Sequence, residues 1–221
     1  MSEVVGMAKR RKVANLLALA VLSAVTTRPM HPYEMAATLR GWNKERDMEI
    51  KWGSLYTVVR NLAKHELIEE VESTRHGRRP ERTVYRITEA GRQELVDWTR
   101  ELLSVPHTEF PRFRAGLSVM AALDPDEVIG LLENRLAALD EEIATLGERH
   151  AREIAEIPRL FLIETEYDLA ILRAEATWVR ALLGELTEGT FPGLREWRAF
   201  HETGEIPDNL RELAEKDITD V

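Results

Sequence analysis

Six polar side chains between Ser54 and Lys64 are spaced to share one surface. In helical register, Ser54, Tyr56, Thr57, Arg60, Asn61 and Lys64 fall on one side of KWGSLYTVVRNLAKHEL (51–67), and Leu55, Val58, Val59 and Leu62 on the other. The polar side is rich in long hydrogen-bond donors and nearly free of acid, in a chain whose net charge is −9. Such a side suits the base edges of a DNA major groove, which is wide enough to admit a helix. Arg60 has the fork for a bidentate contact to guanine, and Asn61 the amide for one to adenine. Lys64 suits a phosphate, and Tyr56 a phosphate or a base. Arg75, Arg78 and Arg79 crowd a Gly-containing loop, a basic tip suited to a minor groove or to backbone phosphates. Lys9 to Lys12 form a third basic run.

Other chemistry finds little support. There is no cysteine, so thiolate ligands, disulfides and a cysteine nucleophile are excluded, and a reducing compartment fits. The six histidines are scattered, and His65-Glu66 lacks the second histidine of a zinc-protease motif. Neither a Gly-rich phosphate loop nor G-x-S-x-G occurs. No enzyme activity, cofactor or metal is expected. KRRKVANLLALAVLSAV (9–25) imitates a secretory signal, but its apolar stretch is shorter than the roughly 20 residues a bilayer needs and no good cleavage site follows. A buried first helix, no membrane association and a cytoplasmic location are the expectation.

Charge divides the chain. Through Val105 there are 18 Lys/Arg against 14 Asp/Glu, and from Pro106 onward 12 against 25. A basic first half joined to an acidic second half implies two surfaces with different partners.

The elements that must position the polar side follow from periodicity. Val13 to Thr26 is apolar nearly all round, as in a central helix. Arg28 to Pro32 reads as a turn, Tyr33 to Leu39 as a short helix, and Asn43 to Glu49 as a polar connector. The helix carrying Arg60 comes next. Ile68 to Thr74 and Arg82 to Ile87 read as two strands of a hairpin, and Thr88 caps a helix running to about Leu103. Helix, helix, helix, hairpin, helix is the order of a winged helix-turn-helix. The rest is helical. Asp124-Pro125-Asp126-Glu127 is a helix start. Leu132, Leu136, Leu139, Ile143 and Leu146, prolonged by Ile154, form a coiled-coil-like seam. A second amphipathic helix carries Leu160, Tyr167, Ile171, Ala174, Trp178 and Leu182.

The expected fold is therefore mainly α. It comprises a basic tail (1–11), a winged helix-turn-helix (12–104), a linker with a short helix (105–124), a long-helix dimerisation domain (125–187) and an acidic tail (188–221). A homodimer through the seam of Leu132 to Ile154 is the expectation, with an intrachain hairpin of the two long helices as the alternative, and a four-helix arrangement where both hold.

HPYEM (31–35), GSLYTVVRNLAKHELIE (53–69) and TVYRITEAGRQEL (83–95) resemble the PadR-type transcriptional regulators. The match covers about 85 residues in order and spacing. The resemblance implies DNA-facing places for Tyr33, Ser54, Tyr56 and Arg60, and a wing closed by Tyr85 and Thr88. Pro32 departs from the usual Gly, and Thr57 stands where Pro is common, so base preference does not carry over. The second half is similar to the longer-tailed branch, whose C-terminal helices dimerise. That implies a homodimeric, ligand-responsive repressor binding double-stranded DNA and released by a small aromatic or lipophilic effector. Phe161, Tyr167 and Trp178 are the effector-pocket candidates. The competing reading is a winged-helix module that docks protein partners through its acidic helices and does not bind DNA.

Overall fold

A computed structural model of the chain describes residues 11–48, 50–71 and 83–205. They form two compact units, Met1–Thr108 and Glu109–Val221.

In the first unit, the Asn15 side chain accepts the Leu17 N–H, so α1 starts at Leu16 and runs to Val25, later than Val13. All but two of its residues are buried, as an all-round apolar helix requires. Helix α2 (Pro32–Gly41) is capped reciprocally. His31 Nδ1 accepts from the Tyr33 N–H at 3.1 Å, and the Glu34 carboxylate accepts from the His31 N–H at 2.9 Å. That backbone hydrogen bond, helped by Arg28, holds the Glu34 carboxyl below its ordinary range. A short helix, α3 (Lys44–Met48), replaces the connector expected over 43–49. A 3₁₀ turn, Trp52–Ser54, then leads into α4 (Leu55–Lys64).

Strands β1 (Ile68–Val71) and β2 (Val84–Ile87) pair antiparallel, with Ile68 opposite Ile87 and Glu70 opposite Tyr85. Met30, expected in a plain turn, exchanges both backbone hydrogen bonds with Tyr85 at 2.9 Å and adds a one-residue third strand. Helix α5 (Glu89–Ser104) closes the unit. Its core gathers α1 with Met35, Leu39, Leu62, Ile68, Ile87 and Trp98.

One junction sets the hairpin against α4. Glu66, at φ +60°, turns the chain out of α4 in the left-handed region. The Thr88 hydroxyl donates to the Glu66 carbonyl at 2.7 Å and accepts from the Gly91 N–H at 3.0 Å. Gly91 lies so close to the same turn that an added Cβ would stand 1.9 Å from the Leu67 carbonyl oxygen.

The second unit contains α6 (Arg112–Ser118), α7 (Pro125–Glu153), α8 (Ile163–Thr187) and α9 (Leu194–Thr203). Asp124 caps α7 by accepting the Asp126 N–H at 2.8 Å. Helices α7 and α8 form an antiparallel hairpin, the intrachain alternative, and most of the expected seam packs within the chain. Leu132 and Leu139 are buried against Ala176, Val179, Leu183 and Leu186 of the same chain, and Leu136 and Ile143 pack half-buried on that cluster. Leu146 is buried as well, whereas Ile154 lies past the end of α7 and is 48% exposed. The seam buries its apolar row within the chain because α8 is tethered beside it by a short connection. Arg135–Glu175 and Arg180–Asp140 bridge the two helices.

The apolar row expected on α8 is also re-phased. Leu169, Leu172, Ala176, Val179, Leu183 and Leu186 pack with the α7 cluster, joined from the expected row by Leu182, while Tyr167, Ile171, Ala174 and Trp178 are exposed. Within the segment 188–221, a helix near Leu194 to Phe200 is also a sequence expectation, and α9 occupies that place. In α9, Leu194 is buried, the Trp197 indole donates to the Leu123 carbonyl at 2.9 Å, and Arg198 pairs with Asp126 at 2.8 Å. Among the described residues no helix is long and apolar enough to cross a membrane.

Gly91→Ala is expected to destabilise the first unit by about 3 kcal/mol or more, since the neighbour it strikes is backbone. Gly130→Ala, in α7 with nothing within 4 Å of the new Cβ, should stabilise by roughly 0.5–1 kcal/mol. Thermal and denaturant unfolding of the two variants checks the opposite signs.

Candidate nucleic-acid interface

Helix α4 is amphipathic to the residue. Leu55, Val58, Val59 and Leu62 are buried, which fixes the helix's rotation and leaves Tyr56, Thr57, Arg60, Asn61 and Lys64 on the opposite side. Tyr56 is 58% exposed, and Tyr33, on α2, 69%. Arg60 reaches back to Thr57, its Nη2 3.5 Å from the Thr57 hydroxyl. Ser54 differs from the other members of the set. It is half-buried, and its hydroxyl donates to the Lys51 carbonyl at 2.8 Å, so it neither caps α4 nor projects with the exposed row.

The wing-tip residues Arg75, Arg78 and Arg79 lie outside the described residues. At the base of the wing, Arg86 pairs with Glu69 at 2.6 Å on the outer face of the hairpin. On the inner face, Tyr85 is 8% exposed and its hydroxyl donates to Glu70 at 3.3 Å. Burial of the ring raises the Tyr85 pKa, the Glu70 carboxylate raises it further, and the nearby Arg60 guanidinium opposes the shift.

Two basic residues have roles that spacing alone did not reveal. Arg40, at the end of α2, lies over the Trp52 ring at 4.3 Å and pairs with Glu45 at 3.4 Å, and the Trp52 indole also donates to Glu45. This cluster braces the turn that launches α4. Arg11, expected among the phosphate contacts of the N-terminal basic run, faces inward. Its guanidinium donates to Glu94 at 2.6 Å and to Glu101, stacks 5.0 Å from the Trp98 ring, and its side chain is 5% exposed. The available signal was the row Glu94, Trp98, Glu101 on one face of α5, which offers a guanidinium two carboxylates and a ring between them. Lys12 remains exposed.

The effector candidates do not converge. Phe161 and Tyr167 are exposed, and Trp178 is half-exposed with its edge against Phe113 at 6.0 Å. Phe113 is covered by the Arg135 guanidinium at 3.7 Å. Among the described residues no three His, Asp or Glu side chains are grouped to hold a metal ion.

Residues 21–97 match the model of the Transcriptional regulator PadR-like family. This segment runs from the second half of α1 into α5 and includes every α4 residue described above. Solved structures share the fold more widely. Bacillus subtilis PadR in complex with operator DNA is 18% identical, with TM-score 0.64 over 77% of this chain and 99% of that one. The same PadR in complex with p-coumaric acid is 17% identical, with TM-score 0.64 over 78% and 99%. The Vibrio cholerae virulence activator AphA is 19% identical, with TM-score 0.58 over 78% and 98%. Comparison with curated proteins by sequence gives no match.

Arg11→Ala is expected to lower stability by about 2 kcal/mol, because it leaves two partly buried carboxylates facing each other across Trp98. The salt dependence of any DNA binding should not change. Chemical denaturation and a salt titration on the same variant read the two effects separately.

Proposed function

We propose that the chain is a DNA-binding transcriptional regulator acting in the cytoplasm as a homodimer on a pseudo-palindromic operator, released from DNA by a small aromatic or lipophilic ligand. The observation that carries this reading is the exposed row of α4 within a PadR-like winged helix. Tyr56, Thr57, Arg60 and Asn61 are the base and phosphate contacts, Lys64 a phosphate contact, and Tyr33 flanks them from α2. Arg75, Arg78 and Arg79 extend the same footprint along the duplex, each cation displacing a counterion from the phosphates. Ser54 contributes through its hold on the Lys51 carbonyl, which shapes the turn before α4.

The dimer reading moves to the outer row of α8. Ile163, Tyr167, Ile171 and Trp178 keep about half or more of their surface exposed, and with Ala174 they form an apolar line along a 25-residue helix. A line of that length in water calls for a partner, and a second copy supplies the same line by symmetry. Phe161, Tyr167 and Trp178 therefore serve better as dimer contacts than as a pocket lining. A two-fold dimer sets its two reading helices about 34 Å apart, one turn of DNA, hence the pseudo-palindrome. The ligand class is borrowed from the PadR complex with p-coumaric acid, and release of DNA by aromatic acids is the direct test.

In vitro selection from a random duplex pool should yield a motif with two half-sites. Arg60→Ala is expected to relax one position of that motif and cost about 1–3 kcal/mol in operator affinity. An unaltered motif from the variant would remove Arg60 from the base readers. Ile171→Glu should leave the fold intact, since Ile171 lies off its own chain's core, yet give monomers by light scattering and weaken operator binding. A variant that stays dimeric would relocate the interface.

A further inference from the structure

Tyr33 stands on α2, and Tyr56 and Arg60 on α4, so a surface that uses all three requires a fixed relation between the two helices. The core supplies part of it. Met35, Ala36 and Leu39 of α2 and the four aliphatics of α4 are buried in one cluster, which sets the rotation of each helix. The path between them is less constrained. It leaves α2 through Asn43, at φ +57°, passes α3, and enters α4 by the 3₁₀ turn Trp52–Ser54. Among the described residues no backbone hydrogen bond joins α2 to residues 51–54. Three side chains make the polar tie. The Glu45 carboxylate oxygen that pairs with Arg40 at 3.4 Å also accepts the Trp52 indole N–H, and the Arg40 guanidinium lies 4.3 Å over the Trp52 ring. Each of the three touches the other two.

Stability does not account for this triangle. The Arg40 and Glu45 side chains are 52% and 48% exposed, and an ion pair so wet contributes little. Its place in the chain is more telling. Arg40 belongs to the last turn of α2, and Trp52 opens the turn whose carbonyl receives the Leu55 N–H at the start of α4. Trp52 also packs on the core cluster, so the tie ends on a side chain that is itself anchored. We infer that Trp52 is a positioning residue for DNA reading: gripped by Glu45 and Arg40, it ties the end of α2 to the entry of α4 and so fixes Tyr33 in relation to Tyr56 and Arg60. Hydrogen bonds to base edges weaken steeply when donor and acceptor fall out of line, whereas phosphate attraction tolerates small displacements. Loss of the tie therefore acts on sequence preference and spares the affinity for random duplex.

This inference rests on the DNA-binding reading, and the experiment separates the two. The operator is first obtained by selection with the unaltered chain; failure to enrich any motif would overturn the DNA-binding reading itself. Affinities for operator and for random duplex are then measured at several salt concentrations for the unaltered chain, Glu45→Asp, Trp52→Phe and Asp97→Glu. The first two keep the net charge. Glu45→Asp draws the carboxylate back by one methylene from both partners, and Trp52→Phe keeps a ring but loses the indole donor. Asp97→Glu alters an ion pair of the same kind on α5, with Arg100, and serves as control. Glu45→Asp and Trp52→Phe should each weaken operator binding roughly five-fold, a fraction of one bidentate base contact, with random-duplex affinity and salt slope unchanged. Asp97→Glu should change neither affinity. Arg60→Ala, tested again in the Glu45→Asp background, should cost less there than in the unaltered chain, because a misplaced arginine has less to lose. That coupling, at an unchanged unfolding midpoint, is what a merely structural role would not produce. An operator-to-random ratio unaltered in Glu45→Asp, an undiminished cost of Arg60→Ala in that background, or a fall in both affinities in step with the unfolding midpoint overturns the inference and leaves the DNA-binding reading standing.

Discussion

The first unit depends on a single hydroxyl and a missing methyl. Thr88 joins the carbonyl that ends the turn after α4 to an N–H in the first turn of α5, and Gly91 lets α5 approach that turn to a distance no side chain would permit. Since β1 begins at Ile68 and β2 ends at Ile87, this contact clamps both strand ends at one place. The hairpin consequently leaves α4 in a defined direction. The Glu70–Tyr85 pair is held by that direction and by the Met30 bridge on the other side of Tyr85.

Much of this was legible in the residues. The split of α4 into Leu55, Val58, Val59 and Leu62 against Tyr56, Thr57, Arg60, Asn61 and Lys64 followed from a period of 3.6, because only one rotation buries four branched aliphatics at once. The Thr88 cap followed from residue type and place. Ser54 misled because the α-helical register does not extend that far back. Residues 52–54 form a 3₁₀ turn, whose tighter winding takes Ser54 off the face. The His31 cap has no such signal, since histidine caps only when the imidazole nitrogen happens to meet the N–H two residues on.

The helical unit marks the limit of periodicity more clearly. A 3-4 apolar row states that a stripe must be buried but not by which chain, and α8 carries apolar residues on two faces. Leu169, Leu172 and Ala176 define one row and Tyr167, Ile171 and Ala174 another, so pattern alone could not choose the inner one. Proximity decides it: α8, a short connection beyond α7, reaches the seam at a far higher effective concentration than any second molecule. The bridges Arg135–Glu175 and Arg180–Asp140 then hold the two helices in register.

Arg11 lies ahead of α1, where a domain boundary drawn from secondary structure would leave it out. Its guanidinium nevertheless occupies the slot between Glu94, Trp98 and Glu101 as a core side chain would. The smallest fragment able to reproduce the first unit must therefore begin at or before this arginine. Trimming to the first helical residue would expose an indole flanked by two carboxylates, and what would look like a tidy dissection would be a point mutation in the interior.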